Sequence, residues 1–198
     1  MDESMSDVRA YVKVSGVFLS FRQVQVLKDI SFCVPAGSVF GLVGSDGAGK
    51  SSMLRLIAGM LRAQAGEIHI GGLNSVAAHR KIKRLIGYMP QRFGLYPDLT
   101  IEENMDFFMD VFGIPRAQRA VRKEKYLGFS NLLPFMDRLA GNLSGGMKQK
   151  LGLACVLVHE PELLILDEPT NGVDPVSRRE FWDMLGRMRG EGMTILVS

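Results

Sequence analysis

The sequence predicts an α/β fold: strands stand towards both ends of the chain and helices fill the middle. Three observations carry that prediction. Residues 8–14 and 24–34 alternate apolar and polar in the manner of strands. Leu163-Leu164-Ile165-Leu166 is a continuous apolar run of the kind buried in a parallel sheet. Between them, from Thr100 to about His159, the apolar residues fall at helical spacing.

Residues 1–7 read as a tail, and Arg22-Gln23 as the turn between the first two strands. Pro35-Ala36-Gly37 is a further turn into residues 39–43, which read as a buried strand. A helix follows from the glycine-rich loop to near Leu61, with Gly66 closing its connection to a short strand at residues 67–70. Another short strand at 85–89 stops at Pro90. Thr100 and Glu103 form a capping box for a helix over 101–112, whose stripe of Met105, Phe108, Met109 and Phe112 reads as core. A charged helix over 116–127 comes next, then a helix from an N-cap at Ser144 to about His159. Residues 175–189 form the last helix and 194–198 the last strand.

The chain has 198 residues, 46% hydrophobic and 23% charged, which suits one globular domain with an inserted subdomain. Its net charge of +3 is too small to argue for nucleic acid. The basic clusters at 79–84 and 116–125 read as solvated helix faces, with contact to acidic headgroups or a partner as the alternative. Cys33 and Cys155 lie in apolar stretches and read as buried, reduced thiols of a cytosolic protein. The polar first nine residues do not read as a signal peptide, and no apolar run reaches the ~20 residues that cross a bilayer.

Residues 44–51 are Gly44, Ser45, Asp46, Gly47, Ala48, Gly49, Lys50 and Ser51, which fit G-x-x-x-x-G-K-[ST]. The glycines let the backbone fold around an anion, and its amide N–H groups then face phosphate. Lys50 offers a mobile charge to the outer phosphates, and the Ser51 hydroxyl can ligate Mg²⁺. A strand before the loop and a helix after it put the anion at a helix N-terminus. The strand at 163–166 ends in Asp167-Glu168, two carboxylates that repel unless a cation lies near. Beside a phosphate loop that cation is Mg²⁺, with Asp167 turned to the metal and Glu168 to the attacking water. Ser144-Gly145-Gly146 at a helix start makes a second anion site.

Gly44 to Ser52, Gln91, Leu143 to Gln149, Leu163 to Glu168 and Gly172-Val173-Asp174-Pro175 occur in the order found in ATP-binding-cassette ATPases. They resemble that family's Walker A loop, Q-loop, signature motif, Walker B strand and D-loop. Residues 87–100 are similar to ATP-binding subunits of bacterial ABC-2-type exporters, including multidrug-type efflux systems. The resemblance implies a P-loop NTPase (RecA-like) core with an N-terminal antiparallel β subdomain, over 8–90 and 160–198, and an α-helical subdomain with the signature motif over 91–159. It implies ATP and Mg²⁺ as cofactors, a transmembrane permease partner, and a homodimer or a paired second nucleotide-binding domain. It also implies a cytoplasmic place, peripheral on the inner face of the membrane. Phe21 would stand where the family places an aromatic that stacks on adenine, with an ordinary strand core residue as the alternative. Gln91 would contact Mg²⁺ or the attacking water and relay the state of the site, with Phe93-Gly94-Leu95-Tyr96 near the groove for a coupling helix. Ser144, Gly145 and Gly146 would bind the γ-phosphate held by the opposite subunit, and Asp174 would sit at the dimer interface, although an N-cap role also suffices for it.

Two departures stand out. Asp46 replaces a usual asparagine and is expected to face solvent or the partner subunit, while Ser52 replaces a common threonine and keeps its hydroxyl. The family's switch histidine follows the strand that 194–198 resembles; His69, His79 and His159 stand elsewhere and read as surface or packing residues. The resemblance therefore implies a chain shortened at its C-terminus, able to bind ATP yet a weak catalyst alone. The alternatives are a nucleotide-binding module with little catalysis and a non-transport member of the family, although no long insert separates Gln91 from Ser144.

Overall fold

The computed structural model describes residues 10–198. The tail expected at 1–7 and the start of the first strand at residue 8 lie outside them. The described chain forms two compact units. One takes the residues up to Ile86 with Glu162–Asp167 and Arg189–Ser198; the other takes Gly87–Pro161 and Glu168–Met188.

The first unit contains an antiparallel sheet in the order β2-β1-β4-β5. Its strands are β1 (Ala10–Phe21), β2 (Val24–Pro35), β4 (Ala65–Ile70) and β5 (Leu73–Asn74). β1 runs well past the expected end at Val14. Val12 and Val14 are buried, then Val17 and Leu19, so the buried face changes parity around Gly16. Gly16 has φ +56°, and the register with β2 shifts between Val14 and Val17. A β-bulge absorbs one residue there and returns the apolar side chains to the core face. Cys33 is exposed on β2, a correction to the buried thiol expected from its apolar neighbours: Val34 takes the core face and Cys33 the other.

The same unit holds three parallel strands in the order β3-β8-β7: β3 (Val39–Gly41), β8 (Thr194–Val197) and β7 (Leu163–Leu166). Every residue of β7 is fully buried, as its unbroken apolar run requires. β3 departs from the expected buried strand over 39–43. It pairs on one side, with β8, and ends at Gly41; Val39 is 39% exposed and Val43, already in the loop, is 98% exposed. The chain has to leave the sheet before Gly44 for the loop to form.

α1 (Lys50–Ile57) buries Met53, Leu54, Leu56 and Ile57. It stops before the expected Leu61. Gly59 has φ +70°, its N–H donates to the Leu56 carbonyl, and the Met60 N–H donates to that of Arg55. These bonds are a Schellman stop, which satisfies the last carbonyls of the helix. α2 (His79–Leu85) buries Ile82 and exposes Arg80, Lys81, Lys83 and Arg84, the solvated basic face expected of it. β6 (Ile86–Met89) carries the chain into the second unit.

The second unit is helical. α3 (Ile101–Val111) starts with the full capping box of Thr100 and Glu103. Met105 and Met109 are fully buried, while Phe112, past the helix end, is 42% exposed and stacks on His159 with ring centroids 4.0 Å apart. Asn104, on the same buried face, gives its side chain to the preceding loop. Its amide oxygen accepts from the Tyr96 N–H at 2.9 Å, and its nitrogen donates to the carbonyls of Tyr96, Leu99 and Thr100. Those bonds offset the cost of burying a polar side chain completely. The basic cluster of α4 (Arg116–Phe129) departs in part from the expected solvated face: Arg116 and Lys125 are exposed, but Arg119 pairs with Asp110, Arg122 with Glu160, and Lys123 with both Glu102 and Asp106. α5 (Gly145–Leu157) and α6 (Pro175–Gly190) complete the helices. Cys155 is buried in α5, and burial pushes its thiol pKa far up, so it stays protonated.

Candidate functional site

The phosphate loop occupies the link from β3 to α1. Gly44, Ser45, Asp46, Gly47 and Ala48 are exposed. Gly49 caps α1 at φ +91°, and a Cβ there would stand 2.8 Å from Leu27 and 3.1 Å from the Val26 carbonyl oxygen. Both the backbone conformation and the close approach of β2 demand glycine. No side chain caps the helix, so its first N–H groups face the loop. The Lys50 ammonium folds back on that loop, donating to the carbonyls of Gly44 at 2.8 Å and Ser45 at 3.0 Å. An ammonium has three N–H donors, so these contacts leave it capacity for an anion cradled by the loop. Ser52 is half-buried in the first turn of α1.

The Ser51 hydroxyl donates to Asp167 Oδ1 at 2.8 Å. That bond joins the start of α1 to the residue that follows β7. Asp167 is 1% exposed, and the Ser198 hydroxyl donates to the same oxygen at 3.0 Å. A hydroxyl and a carboxylate in contact at the end of a phosphate loop are hard oxygen donors, the set that suits Mg²⁺ shared with phosphate oxygens. Phe21 ends β1 beside its turn, opposite Val24, and is 47% exposed, which leaves its ring free to carry a flat partner.

The second unit holds its own cluster. Glu168, next after Asp167, sits at φ +48°, in the left-handed region uncommon outside glycine. Its Oε2 accepts from Gln91 Nε2 at 2.7 Å and from Asn171 Nδ2 at 3.1 Å. Sequence reasoning names Gln91 and Glu168 but passes over Asn171; the turn chemistry of Glu168-Pro169-Thr170-Asn171, with proline second, is the signal that could have found it. Gln91 also lines a cavity of about 390 Å³ with Phe93, Leu95, Pro97, Lys148 and Gln149.

At the start of α5 the Ser144 hydroxyl accepts from the Met147 N–H at 3.3 Å, the expected N-cap. Gly145 is open to solvent. Gly146 differs: it is buried, and a Cβ there would lie 2.4 Å from Ser177 of α6. Gly146 thus lets the two helices approach, while Ser144 and Gly145 remain accessible. Asp174 caps α6, accepting from the N–H groups of Ser177 at 2.9 Å and Val176 at 3.1 Å. The Ser177 N–H and hydroxyl chiefly hold the Asp174 carboxyl below the usual carboxylate range.

Known proteins resemble this chain over most of its length. The ABC transporter family model matches residues 27–171. The chain is 50% identical over 165 residues to the probable multidrug ABC transporter ATP-binding protein YbhF of Escherichia coli K12, covering 83% of this chain and 28% of that protein. It is 36% identical to the linearmycin resistance ATP-binding protein LnrL of Bacillus subtilis 168, covering 94% of this chain and 60% of LnrL. It is 37% identical to the Nod factor export ATP-binding protein I of Rhizobium sp. N33, over 94% of this chain and 62% of that protein. The chain therefore spans less than two thirds of these relatives. Among solved structures, cbiO1 of Clostridium perfringens, part of the cbiONQ transporter complex, superposes with a TM-score of 0.86 at 28% identity, covering 95% of this chain and 77% of that one. An ATP-binding subunit of an ABC transporter gives 0.81 at 29%, covering 95% and 78%. A phosphate loop alone is shared by many nucleotide enzymes, but a family model running from β2 through the paired carboxylates is not: this chain belongs to the ABC transporter family.

Proposed function

We propose that the chain binds and hydrolyses ATP to power export through a separate transmembrane permease. The observation that carries this reading is the 2.8 Å bond from Ser51 to Asp167, which ties the phosphate loop to the carboxylate just past β7. When bound, Mg²⁺ would supply charge neutralisation and orientation of the phosphates, and Ser51 and Asp167 would hold it. The loop from Gly44 to Gly49 cradles the phosphates with backbone N–H groups, Lys50 holds the outer ones, and Phe21 stacks on the adenine. Glu168 orients water and accepts its proton. The water oxygen bonds to the γ-phosphorus as the bond to the bridging oxygen of ADP breaks.

Two such domains pairing head to tail would each offer Ser144 and Gly145 to the other's γ-phosphate, with Asp174 at the junction. Gln91 belongs both to the Glu168 cluster and to the cavity lined by Phe93 and Leu95, so a permease segment seated there would feel the state of the site. No helix among the described residues is long and apolar enough to cross a membrane. Attachment to the inner membrane face would come from the permease. The relatives' names point to efflux of small molecules as the substrate class.

Calorimetric titration of the folded protein with Mg²⁺–ATP tests the reading. Binding is expected, and Lys50→Ala is expected to weaken it by about a hundredfold, or ~2.7 kcal/mol. No heat for the wild type, or full affinity in Lys50→Ala, removes the phosphate-loop assignment.

A further inference from the structure

We propose that Asn171 is a positioning residue for hydrolysis, holding the Glu168 carboxylate in its working orientation when Gln91 lets go. The inference rests on the role given to Glu168 above. Asn171 touches Glu168 twice. Its backbone N–H donates to the Glu168 carbonyl at 3.2 Å, and its side-chain nitrogen donates to Glu168 Oε2 at 3.1 Å. The first contact closes a β-turn with Glu168 first, Pro169 second and Asn171 last. Proline suits the second position because its φ is already set, so the turn is stiff. Stiffness matters here, since Glu168 sits at φ +48°, a conformation that persists only where its surroundings impose it.

The two side-chain donors on Oε2 differ in kind. Gln91 arrives from a distant part of the chain, on an exposed segment that also lines the 390 Å³ cavity. Its contact is the shorter of the two, 2.7 Å against 3.1 Å, but on the proposed reading it has other duties, towards the cation and the permease, that would draw it away. Asn171 is three residues from Glu168 within one turn, so its amide travels with the carboxylate through any movement of Gln91. The Asn171 side chain is exposed, and an exposed hydrogen bond adds little to stability. Its backbone N–H alone closes the turn. What the amide adds is direction: it fixes which way Oε2 points and hence where the rest of the carboxylate faces.

Asparagine and aspartate have nearly the same shape, and both tolerate such turns. They differ in that aspartate cannot donate and places a second negative charge against Glu168. The experiment uses the full-length protein and compares Asn171→Ala, Asn171→Asp and Glu168→Gln. Turnover at saturating ATP and calorimetric affinity for Mg²⁺–ATP are measured on each. Asn171→Ala is expected to lower kcat by about tenfold with affinity unchanged, in line with the cost of a misplaced catalytic group. Asn171→Asp is expected to lose at least as much, with the same melting temperature as wild type. Wild-type kcat in both Asn171 variants, alongside a dead Glu168→Gln, overturns the positioning role and leaves the Glu168 reading intact. A serviceable Asn171→Asp beside a slow Asn171→Ala also overturns it, because shape alone would then suffice. Wild-type turnover in Glu168→Gln removes Glu168 from the reaction, and the Asn171 proposal with it.

Discussion

Asp167 and Glu168 are adjacent carboxylates that the chain treats in opposite ways. Asp167 closes a buried strand, is 1% exposed, and takes hydroxyl donors from Ser51 and Ser198. Glu168 opens a turn, is half-buried, has a left-handed backbone, and takes amide donors from Gln91 and Asn171. The division between the two compact units falls between them. One peptide bond therefore separates a carboxylate fixed to the phosphate loop from one whose partners lie on exposed loops. A rigid acid suits ligand binding, which must be preorganised. An acid on a turn suits a step that should run only when other contacts are in place.

Glu168→Gln separates the two acids most strongly. If the two acids divide binding from hydrolysis, the variant keeps Mg²⁺–ATP affinity within about twofold and loses turnover by about 10²–10⁴, the range of one general base. Turnover of the full-length protein and calorimetric affinity check both halves. A parallel loss of affinity would mean that Glu168 shares the binding work of Asp167.

Ser51→Ala probes the other side with a smaller effect. Asp167 keeps the Ser198 donor but loses the hydroxyl that ties it to α1. Loss of a single ligand or its orienting partner costs roughly 10–100-fold in metal affinity. The gain in nucleotide affinity on adding Mg²⁺ should shrink by about tenfold, while binding without Mg²⁺ stays as in wild type. Titrations with and without Mg²⁺ separate the two. An equal loss in both would place Ser51 on the phosphate rather than the cation.

The two acids also differ in how legible their surroundings are. The phosphate loop, the β7 run and the Ser-Gly-Gly helix start are contiguous, and their chemistry is local, so order and spacing alone expose them. The capping box at Thr100 and Glu103 is readable for the same reason. The hydroxyl contact of Ser198, the Asn104 amide on its loop and the Asn171 amide on Glu168 need the folded chain, since a lone Ser or Asn has many satisfied uses. The errors have physical causes as well. Alternation ends at Gly16 only if the bulge goes unrecognised. Gly59 is a helix stop in plain view, passed over in favour of the later Leu61. Apolar neighbours say little about Cys33, because period-two geometry turns alternate residues outward. Gly146 looks like a ligand residue by its motif, and its buried Cα shows that packing against Ser177 also requires it.

A smaller effect is expected from charges in the second unit away from Glu168. Lys123 bridges Glu102 at 2.8 Å and Asp106 at 2.7 Å, with its own side chain 13% exposed. Partial burial works against its charge, but the bonds to Asp106 and Glu102 outweigh it and hold the Lys123 pKa above the usual lysine value. A raised pKa in a cationic group means stability that is fully present below the unfolded pKa and fades only as pH rises through the folded one. At neutral pH the contribution is therefore complete, and only strongly alkaline solution removes it. Lys123→Met keeps most of the side-chain packing and removes the charge. The expected cost is about 1 kcal/mol, since both carboxylates are partly solvated. For a chain of this length that corresponds to a fall of roughly 2–4 °C in Tm. Mg²⁺–ATP affinity and turnover should not change, because the pair secures α4 to α3 and touches neither acid. The Tm difference from wild type should also vanish in strongly alkaline buffer. A drop in turnover at unchanged Tm would mean that the helical charges feed the Glu168 turn, and the separation between the binding acid and the hydrolytic acid would have to be redrawn.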